Sequence, residues 1–188
     1  MSNKINGSLL KKQSIFVNAL RNPETKEDAF KKLISEYKER LYWHIRKLVL
    51  NHDDANDVIQ NTFIKIHLNI DKFRETSSLY TWMYRIATNE SLNLISSKAA
   101  KMGLKNQEWI EAKANDLMAD PYFDGDKAAL KLQKMVANLP EKQRIVFNMR
   151  YFDNMSYNDI SKVLDTSVGA LKASYHHAVK KIKIELNE

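Results

Sequence analysis

The stretch SYNDISKVLDTSVGALKASYHHAV, residues 156–179, decides the fold of the C-terminal part of the chain. Ser156 is a residue type that caps helices, and the apolar Ile160 and Val163 follow it at helical spacing. The polar residues 165–167 then interrupt the pattern, and a longer helical pattern begins. A short capped helix, a tight turn and a longer second helix predict a helix-turn-helix unit.

The second helix of this unit can enter a DNA major groove only if it presents polar or small side chains. Such residues are Ser167, Gly169, Lys172, Ser174, His176 and His177, with Lys180 beginning a basic end that suits phosphates. The expected packing stripe is Val168, Leu171, Tyr175 and Val179. Spacing alone leaves DNA binding open, because helical hairpins of this shape also occur in proteins that never touch DNA.

The rest of the chain also predicts helices, and no segment alternates in the manner of a β-strand. Helices are expected over residues 8–20, 23–50, 53–70, 78–100, 127–138 and 141–151. We expect Asp53 or Asp54 to cap the third of these helices, and Ser77 or Ser78 the fourth. Trp109 and Ile110 indicate a transient or docked helical turn in the segment between the two helical groups.

This pattern predicts an all-α fold of two helical domains joined by an acidic linker, with boundaries at 1–100, 101–126 and 127–188. The linker contains one lysine within residues 106–126 and six acidic residues: Glu108, Glu111, Asp116, Asp120, Asp124 and Asp126. The whole chain nevertheless carries a net charge of +7. Two basic domains with an acidic connection suit a protein that contacts nucleic acid at two places.

Composition narrows the class of protein further. The chain has no cysteine, so disulfides and thiolate metal sites are excluded. No apolar segment is long enough to span a bilayer, and residues 1–7 lack the apolar core of a signal peptide. We therefore expect a soluble cytoplasmic protein without membrane insertion.

Two parts of the sequence resemble a known family. Residues 54–63 (DANDVIQNTF) and 73–89 (FRETSSLYTWMYRIATN) closely resemble the polymerase- and minus-ten-binding domain of extracytoplasmic-function sigma factors. Residues 139–144 (LPEKQR), 156–161 (SYNDIS) and 167–173 (SVGALKA) resemble the minus-thirty-five-binding domain of that family. Both occur in the family's order and at its separation.

The resemblance implies a non-enzymatic subunit that directs core RNA polymerase to promoters, assists DNA melting and starts transcription. The expected partners are core RNA polymerase, promoter DNA and an anti-sigma factor. Neither a cofactor nor a metal ion is expected.

The resemblance also assigns site residues. Those expected to bind core polymerase are Asp54, Asp57, Gln60 and Asn61. Those expected at melted minus-ten DNA are Phe73, Arg74, Ser77, Trp82, Arg85 and Asn89. Those expected at minus-thirty-five DNA are Ser167, Gly169, Lys172, Ser174, His176, His177 and Lys180.

Several assignments have a structural alternative. The alternative for Asp54 is a role as a helix-capping residue only, and Trp82 and Phe73 are at positions that also suit core aromatic residues. The last helix departs from the family pattern, since many members have arginines where this chain has Ser174, His177 and Val179. That departure affects which promoter sequence is read.

Two other functions fit parts of the sequence. A stand-alone helix-turn-helix regulator would use the C-terminal unit to bind its operator duplex without polymerase. A metal-dependent nuclease would use the cluster His52, Asp53, Asp54 and Asp57 to hold a divalent cation.

Overall fold

The described chain is helical, which confirms the all-α prediction. The computed structural model describes residues 2–117 and 126–187, with side chains from residue 11 onward. Over these residues it contains nine α-helices and no β-strand. The helices are α1 (Ser2–Arg21), α2 (Lys26–Val49), α3 (His52–Asn69), α4 (Leu79–Lys101), α5 (Asn106–Asp116), α6 (Lys127–Ala137), α7 (Glu141–Phe147), α8 (Tyr157–Leu164) and α9 (Val168–Asn187).

Helices α1 to α4 form an N-terminal block around α2, which packs against both α3 and α4. Its apolar positions recur every three or four residues and are fully buried at Leu41, Ile45 and Leu48. Burying side chains of this size stabilises the fold by about 1.5–3 kcal/mol each. The helix ends at Leu50, whose left-handed backbone (φ 56°) lets its N–H reach the carbonyl oxygen of Arg46.

Local capping fixes where α3 and α4 begin. The side chain of Asn51 accepts a hydrogen bond from the Asp54 N–H (2.9 Å), so the expected cap at Asp53 or Asp54 is wrong. Ser78 caps α4 as expected, because its hydroxyl oxygen accepts from the Thr81 N–H (3.0 Å). These bonds satisfy amides that have no partner inside the helix.

Helices α6 to α9 form a C-terminal block. Helix α7 passes into a π-helical turn, residues 148–152, so the expected continuous helix over 141–151 is irregular at its end. Ser156 caps α8 by accepting from the Asp159 N–H (3.1 Å), as predicted. Asp165 takes a left-handed conformation (φ 50°) after α8 and turns the chain toward α9. The helix-turn-helix prediction thus matches the observed helices.

The segment between the blocks contains more structure than a single turn. Residues 106–116 form the whole helix α5, with Trp109 and Ile110 buried. This helix packs against both α4 and α6, and therefore touches both blocks. Residues 118–125, which include the acidic linker residues Asp120 and Asp124, lie outside the described residues.

The two blocks also contact each other directly. Helix α8 packs on α4, and the turn 148–152 packs on α2. One continuous apolar core includes Ile45 and Met83 from the first block together with Ile160 and Val163 from the second. The two blocks therefore share one apolar core and pack directly against each other.

Candidate functional site

The face of α3 expected to bind polymerase is only partly exposed. Asp57, Gln60 and Asn61 are exposed, but Asp54 is 3% exposed and its carboxylate pairs with the Lys98 ammonium on α4. Asp54 therefore does not belong to the exposed stripe, because it faces α4. Its contact holds the start of α3 against the end of α4.

An apolar surface extends the exposed face of α3. Ile64 and Leu68 are 55% and 69% exposed and follow Gln60 at intervals of four residues, one above the other on the helix. They border a groove of about 520 Å³ between α2 and α3, lined also by Phe30, Ile34, Lys38, Ile59, Gln60, Phe63 and His67. These two residues are not among those singled out from the sequence, although their four-residue spacing from Gln60 predicts that all three share one face of α3.

A second pocket, of about 420 Å³, lies between α3 and α4. Its lining includes two residues expected at minus-ten DNA, Trp82 and Asn89, which lie two turns apart on α4. The same lining contains Lys65, Asn69, Lys72, Ile86, Glu90 and Asn93. Lys65 pairs with Glu90 at 2.5 Å, whereas Lys72 donates to the Asn69 side chain at 3.0 Å. The pocket combines amides, ammonium groups, an aromatic ring and the Glu90 carboxylate, which neutralises Lys65.

Phe73 supports this pocket from behind and does not line it. It is 4% exposed, and its ring lies 5.2 Å from the Trp82 ring between centroids. Trp82 is half-buried and has its own place in the pocket lining. Of the two expected aromatic residues, Phe73 therefore belongs to the core, while Trp82 offers a ring surface.

The loop before α4 is positioned by α1. The guanidinium of Arg21 donates to the carbonyl oxygens of Ile70 and Phe73 and lies 3.7 Å from the carboxylate of Glu75. The side-chain oxygen of Gln13 accepts from the Leu79 N–H (2.9 Å). These contacts span 49 to 66 residues of sequence, so no local pattern announced them.

Within this loop, the expected DNA residues differ in exposure. Arg74 is exposed, and Ser77 is half-buried with its hydroxyl donating to the Ser78 carbonyl oxygen (3.3 Å). Arg85, nearly two turns into α4, is exposed but is directed toward the other block. Its Nε donates to the Val163 carbonyl oxygen of α8 (3.3 Å).

The second helix of the helix-turn-helix unit presents a polar stripe. Gly169, Lys172, His176 and Lys180 are exposed and recur every three or four residues, so they share one face of α9. Leu171, Ala178 and Ile182 are buried on the opposite side. His177 is exposed beside the stripe, whereas Ser174 is half-buried away from it.

Ser167 and Lys172 have contacts within the unit. The Ser167 hydroxyl oxygen accepts from the Ala170 N–H (3.3 Å) at the start of α9. The Lys172 ammonium lies 5.9 Å from the centre of the Tyr157 ring, and the Arg150 guanidinium lies 5.3 Å from it. Tyr157 thus holds two cations beside the stripe.

The cluster considered for a nuclease is occupied by protein contacts. The two ring nitrogens of His52 hydrogen-bond Tyr42 (2.8 Å) and Asn56 (2.9 Å), and Asp54 pairs with Lys98. Within residues 2–117 and 126–187, no three His, Asp or Glu side chains are grouped to hold a metal ion. Across those same residues, no helix has the length and apolarity needed to cross a membrane.

Comparison with known proteins identifies both blocks. The family model for Sigma-70 region 2 matches residues 33–101, and that for Sigma-70, region 4 matches residues 129–182. The chain is 27% identical over 176 residues to the ECF RNA polymerase sigma factor SigW of Bacillus subtilis, covering 86% of this chain and 91% of SigW. It is 27% identical over 165 residues to the ECF RNA polymerase sigma-E factor of Haemophilus influenzae, covering 82% and 86%.

Solved structures share the fold. CnrH, in a complex with the cytosolic domain of CnrY, aligns with a TM-score of 0.67 at 20% identity, covering 93% of this chain and 97% of CnrH. The sigma factor RpoE of Bartonella quintana, in a complex with the anti-sigma factor NepR, aligns with a TM-score of 0.66 at 20% identity, covering 84% and 96%. With both sigma regions matched in order and full-length relatives covered almost throughout, the chain belongs to the extracytoplasmic-function family of RNA polymerase sigma factors.

Proposed function

We propose that this sigma factor binds core RNA polymerase, holds the melted minus-ten strand in the α3–α4 pocket and reads minus-thirty-five DNA with α9. The observation that carries the proposal is that one helical chain presents two separate surfaces suited to nucleic acid. One is the pocket that contains Trp82 and Asn89, and the other is the stripe through Lys172 and His176.

Polymerase would dock on the exposed face of α3. Asp57, Gln60 and Asn61 supply polar contacts, and Ile64 and Leu68 add an apolar area beside the α2–α3 groove. Protein interfaces commonly surround an apolar centre with a polar rim. This arrangement suits a helical element of the polymerase that has both apolar and polar residues.

The α3–α4 pocket would receive unstacked DNA. An extruded base needs a flat surface to stack on and polar groups for its edge, which the Trp82 ring and the Asn89 amide supply. Lys72 at the same pocket suits the phosphate backbone, whereas the Lys65 ammonium is already paired with Glu90. Arg74 and Ser77 would contact the strand from the preceding loop.

Duplex recognition would use the polar stripe of α9. Lys172 and Lys180 fit phosphates or guanine edges, and His176 lies between them on the same face. A methyl group at Gly169 would meet no other atom within 4 Å, so the fold leaves this position open. The missing side chain would let DNA come close to the helix backbone there.

We further propose a purely non-covalent role in the cytoplasm, where the polymerase supplies all chemistry. Domain boundaries at 1–100, 101–126 and 127–188 would separate the two DNA-binding parts. An anti-sigma factor is a further proposed partner, because the sigma factor RpoE was solved with the anti-sigma factor NepR bound.

Run-off transcription with core polymerase and a genomic promoter library tests the function. We expect new start sites that require the chain, and little duplex binding by the chain alone. Specific operator binding without polymerase, together with no new start site, would instead identify a stand-alone regulator.

A further inference from the structure

An ion pair between α3 and α4 lies inside the pocket proposed to hold melted DNA. The Lys65 ammonium lies 2.5 Å from Oε1 of the Glu90 carboxylate, and both side chains line the pocket. The Glu90 side chain is 13% exposed, whereas that of Lys65 is 49% exposed. Among the residues that the structure describes, Lys65 is the one hydrogen-bond donor to this carboxylate. Oε2 of Glu90 is therefore available to a ligand in the pocket.

Helix packing alone does not account for this ion pair. Helices α3 and α4 pack against each other and contribute Ile66 and Met83 to one apolar core. An ion pair whose ammonium is half-exposed adds little to that packing, because water screens the attraction. The pair is therefore not required to join the two helices, and its position points to a role in the pocket.

A carboxylate is an unusual group in a site for nucleic acid. It repels the phosphates that Lys72 at the same pocket attracts. The donors that DNA can offer to a carboxylate are the N–H groups on the edges of its bases. Glu90 consequently suits contact with a base and opposes contact with the backbone.

The ion pair presents a hydrogen-bond donor beside two acceptors. The Lys65 ammonium has three N–H groups, of which one faces Glu90, and an ionised carboxylate accepts at both oxygens. Melted DNA exposes the Watson–Crick edges of its bases. On guanine that edge carries the acceptor O6, followed by the donors N1–H and N2–H. Lys65 can donate to O6 while Glu90 accepts from N1–H and N2–H.

The other three bases match this pattern less well. On the same edge, adenine and cytosine each offer one amino group as donor, and thymine offers only N3–H. A base that supplies a single donor leaves one carboxylate oxygen covered by DNA and unpaired, which weakens binding. Guanine is therefore the base that satisfies Lys65 and Glu90 together.

The position of the ion pair on α4 separates it from the stacking surface. Glu90 follows Trp82 by two helical turns, which is about 12 Å along the helix. A base stacked on the Trp82 ring consequently leaves Glu90 to a neighbouring nucleotide. Asn89 and Asn93 line the same end of the pocket and place amides beside that nucleotide.

We propose that Glu90, held in place by Lys65, selects guanine at one position of the melted minus-ten strand. This inference rests on the proposed sigma function and adds a specificity-determining residue to it. It predicts that one guanine of the promoter is read through its Watson–Crick edge, and that this reading is lost without the carboxylate.

Base analogues test the contact in the holoenzyme. Single-stranded oligonucleotides with the minus-ten sequence of a promoter that the chain activates compete for the holoenzyme, with guanine, inosine or 7-deazaguanine at each position in turn. Inosine lacks the N2 amino group, whereas 7-deazaguanine keeps the whole Watson–Crick edge. At one position we expect inosine to bind about tenfold more weakly than guanine, and 7-deazaguanine to bind as well as guanine.

Glu90→Gln keeps the size of the side chain and removes its charge and one acceptor. The amide turns its oxygen toward Lys65 and leaves the N2 amino group of guanine without an acceptor. In this variant we therefore expect guanine and inosine to bind within about twofold of each other. Glu27→Gln is the matched control, since Glu27 also pairs with a lysine, Lys31 at 3.0 Å, on an exposed part of α2. It should keep the tenfold difference.

Should Glu90→Gln not fold, Lys65→Met combined with Glu90→Met removes the pair without leaving one charge unpaired, and the same loss of the difference is expected. A guanine–inosine difference that persists in the Glu90 variant, or that is found at no minus-ten position, overturns the inference and leaves the sigma function intact. A natural chain that gives core polymerase no start site of its own instead removes the proposed function.

Discussion

At the scale of single residues, position in the sequence motif and exposure in the fold do not coincide. Asp54 and Asp57 are three residues apart and both match the family's polymerase-binding motif, yet only Asp57 is exposed. Asp54 is directed toward Lys98, which is 44 residues away along the chain. Sequence spacing identifies the motif, whereas the fold decides which of its members remain available to a partner.

Asp54→Ala is therefore expected to lower stability. Removing the buried Asp54 carboxylate breaks its ion pair with Lys98. The Lys98 ammonium, which is half-exposed, is then left without this partner. We expect a loss of about 1–2 kcal/mol in the free energy of unfolding, measured by urea denaturation. The control is Asp57→Ala, for which a change within about 0.5 kcal/mol is expected. Equal losses for both variants would contradict the assignment.

Asp57→Arg combined with Gln60→Ala tests whether the exposed face of α3 binds core polymerase. Reversing the charge and shortening the amide on the exposed face of α3 should weaken core polymerase binding without lowering the melting temperature. A titration with labelled core polymerase measures the affinity. Unchanged affinity would show that polymerase binds elsewhere on the chain.

Lys172 is the best residue with which to test DNA contact by α9. Lys172→Ala should weaken binding of promoter DNA by the holoenzyme and reduce the slope of log affinity against log salt by about 1, if the ammonium neutralises one phosphate. Lys181→Ala is the matched control, since Lys181 lies on the same helix outside the Gly169–Lys180 stripe. Footprinting over a range of salt concentrations measures both effects, and identical curves for the two variants would remove Lys172 from the interface.

At the scale of elements, sequence patterns predict helices best where their signals are local. The starts of α4 and α8 follow from the caps Ser78 and Ser156, whose partners lie three residues away. Helix α5 shows only a hint of its existence, in Trp109 and Ile110, because its order depends on packing against α4 and α6. Long-range support of this kind has no periodic signature in the sequence of the helix itself.

The dependence of α5 on tertiary packing is testable through Trp109. Trp109→Ala removes a side chain that is 1% exposed, and we expect residues 106–116 to lose hydrogen-exchange protection selectively. Trp43→Ala is the control, because Trp43 is 42% exposed on α2. Retention of full protection in the Trp109 variant would contradict the view that packing orders this helix.

At the scale of the whole molecule, the packing of the two blocks could not be predicted from sequence. His44 and Asp153 are 109 residues apart, and no sequence motif links the two positions. Both family regions were predictable because each carries its own local pattern. Their mutual arrangement includes a buried ion pair between residues far apart in the sequence, and such a contact leaves no local pattern from which to predict it.

Asp153→Asn tests whether this ion pair stabilises the packing of the two blocks, because it retains the size of the side chain and removes the charge that His44 and Lys47 face. Breaking a buried ion pair from one side leaves the other charged groups without compensation, so we expect a loss of about 3 kcal/mol in the free energy of unfolding, measured by urea denaturation. Asp28→Asn, on an exposed part of α2, makes the same change of charge and should alter that free energy by less than about 0.5 kcal/mol. A loss for Asp153→Asn that is no larger than the loss for Asp28→Asn would show that the buried ion pair does not stabilise this packing.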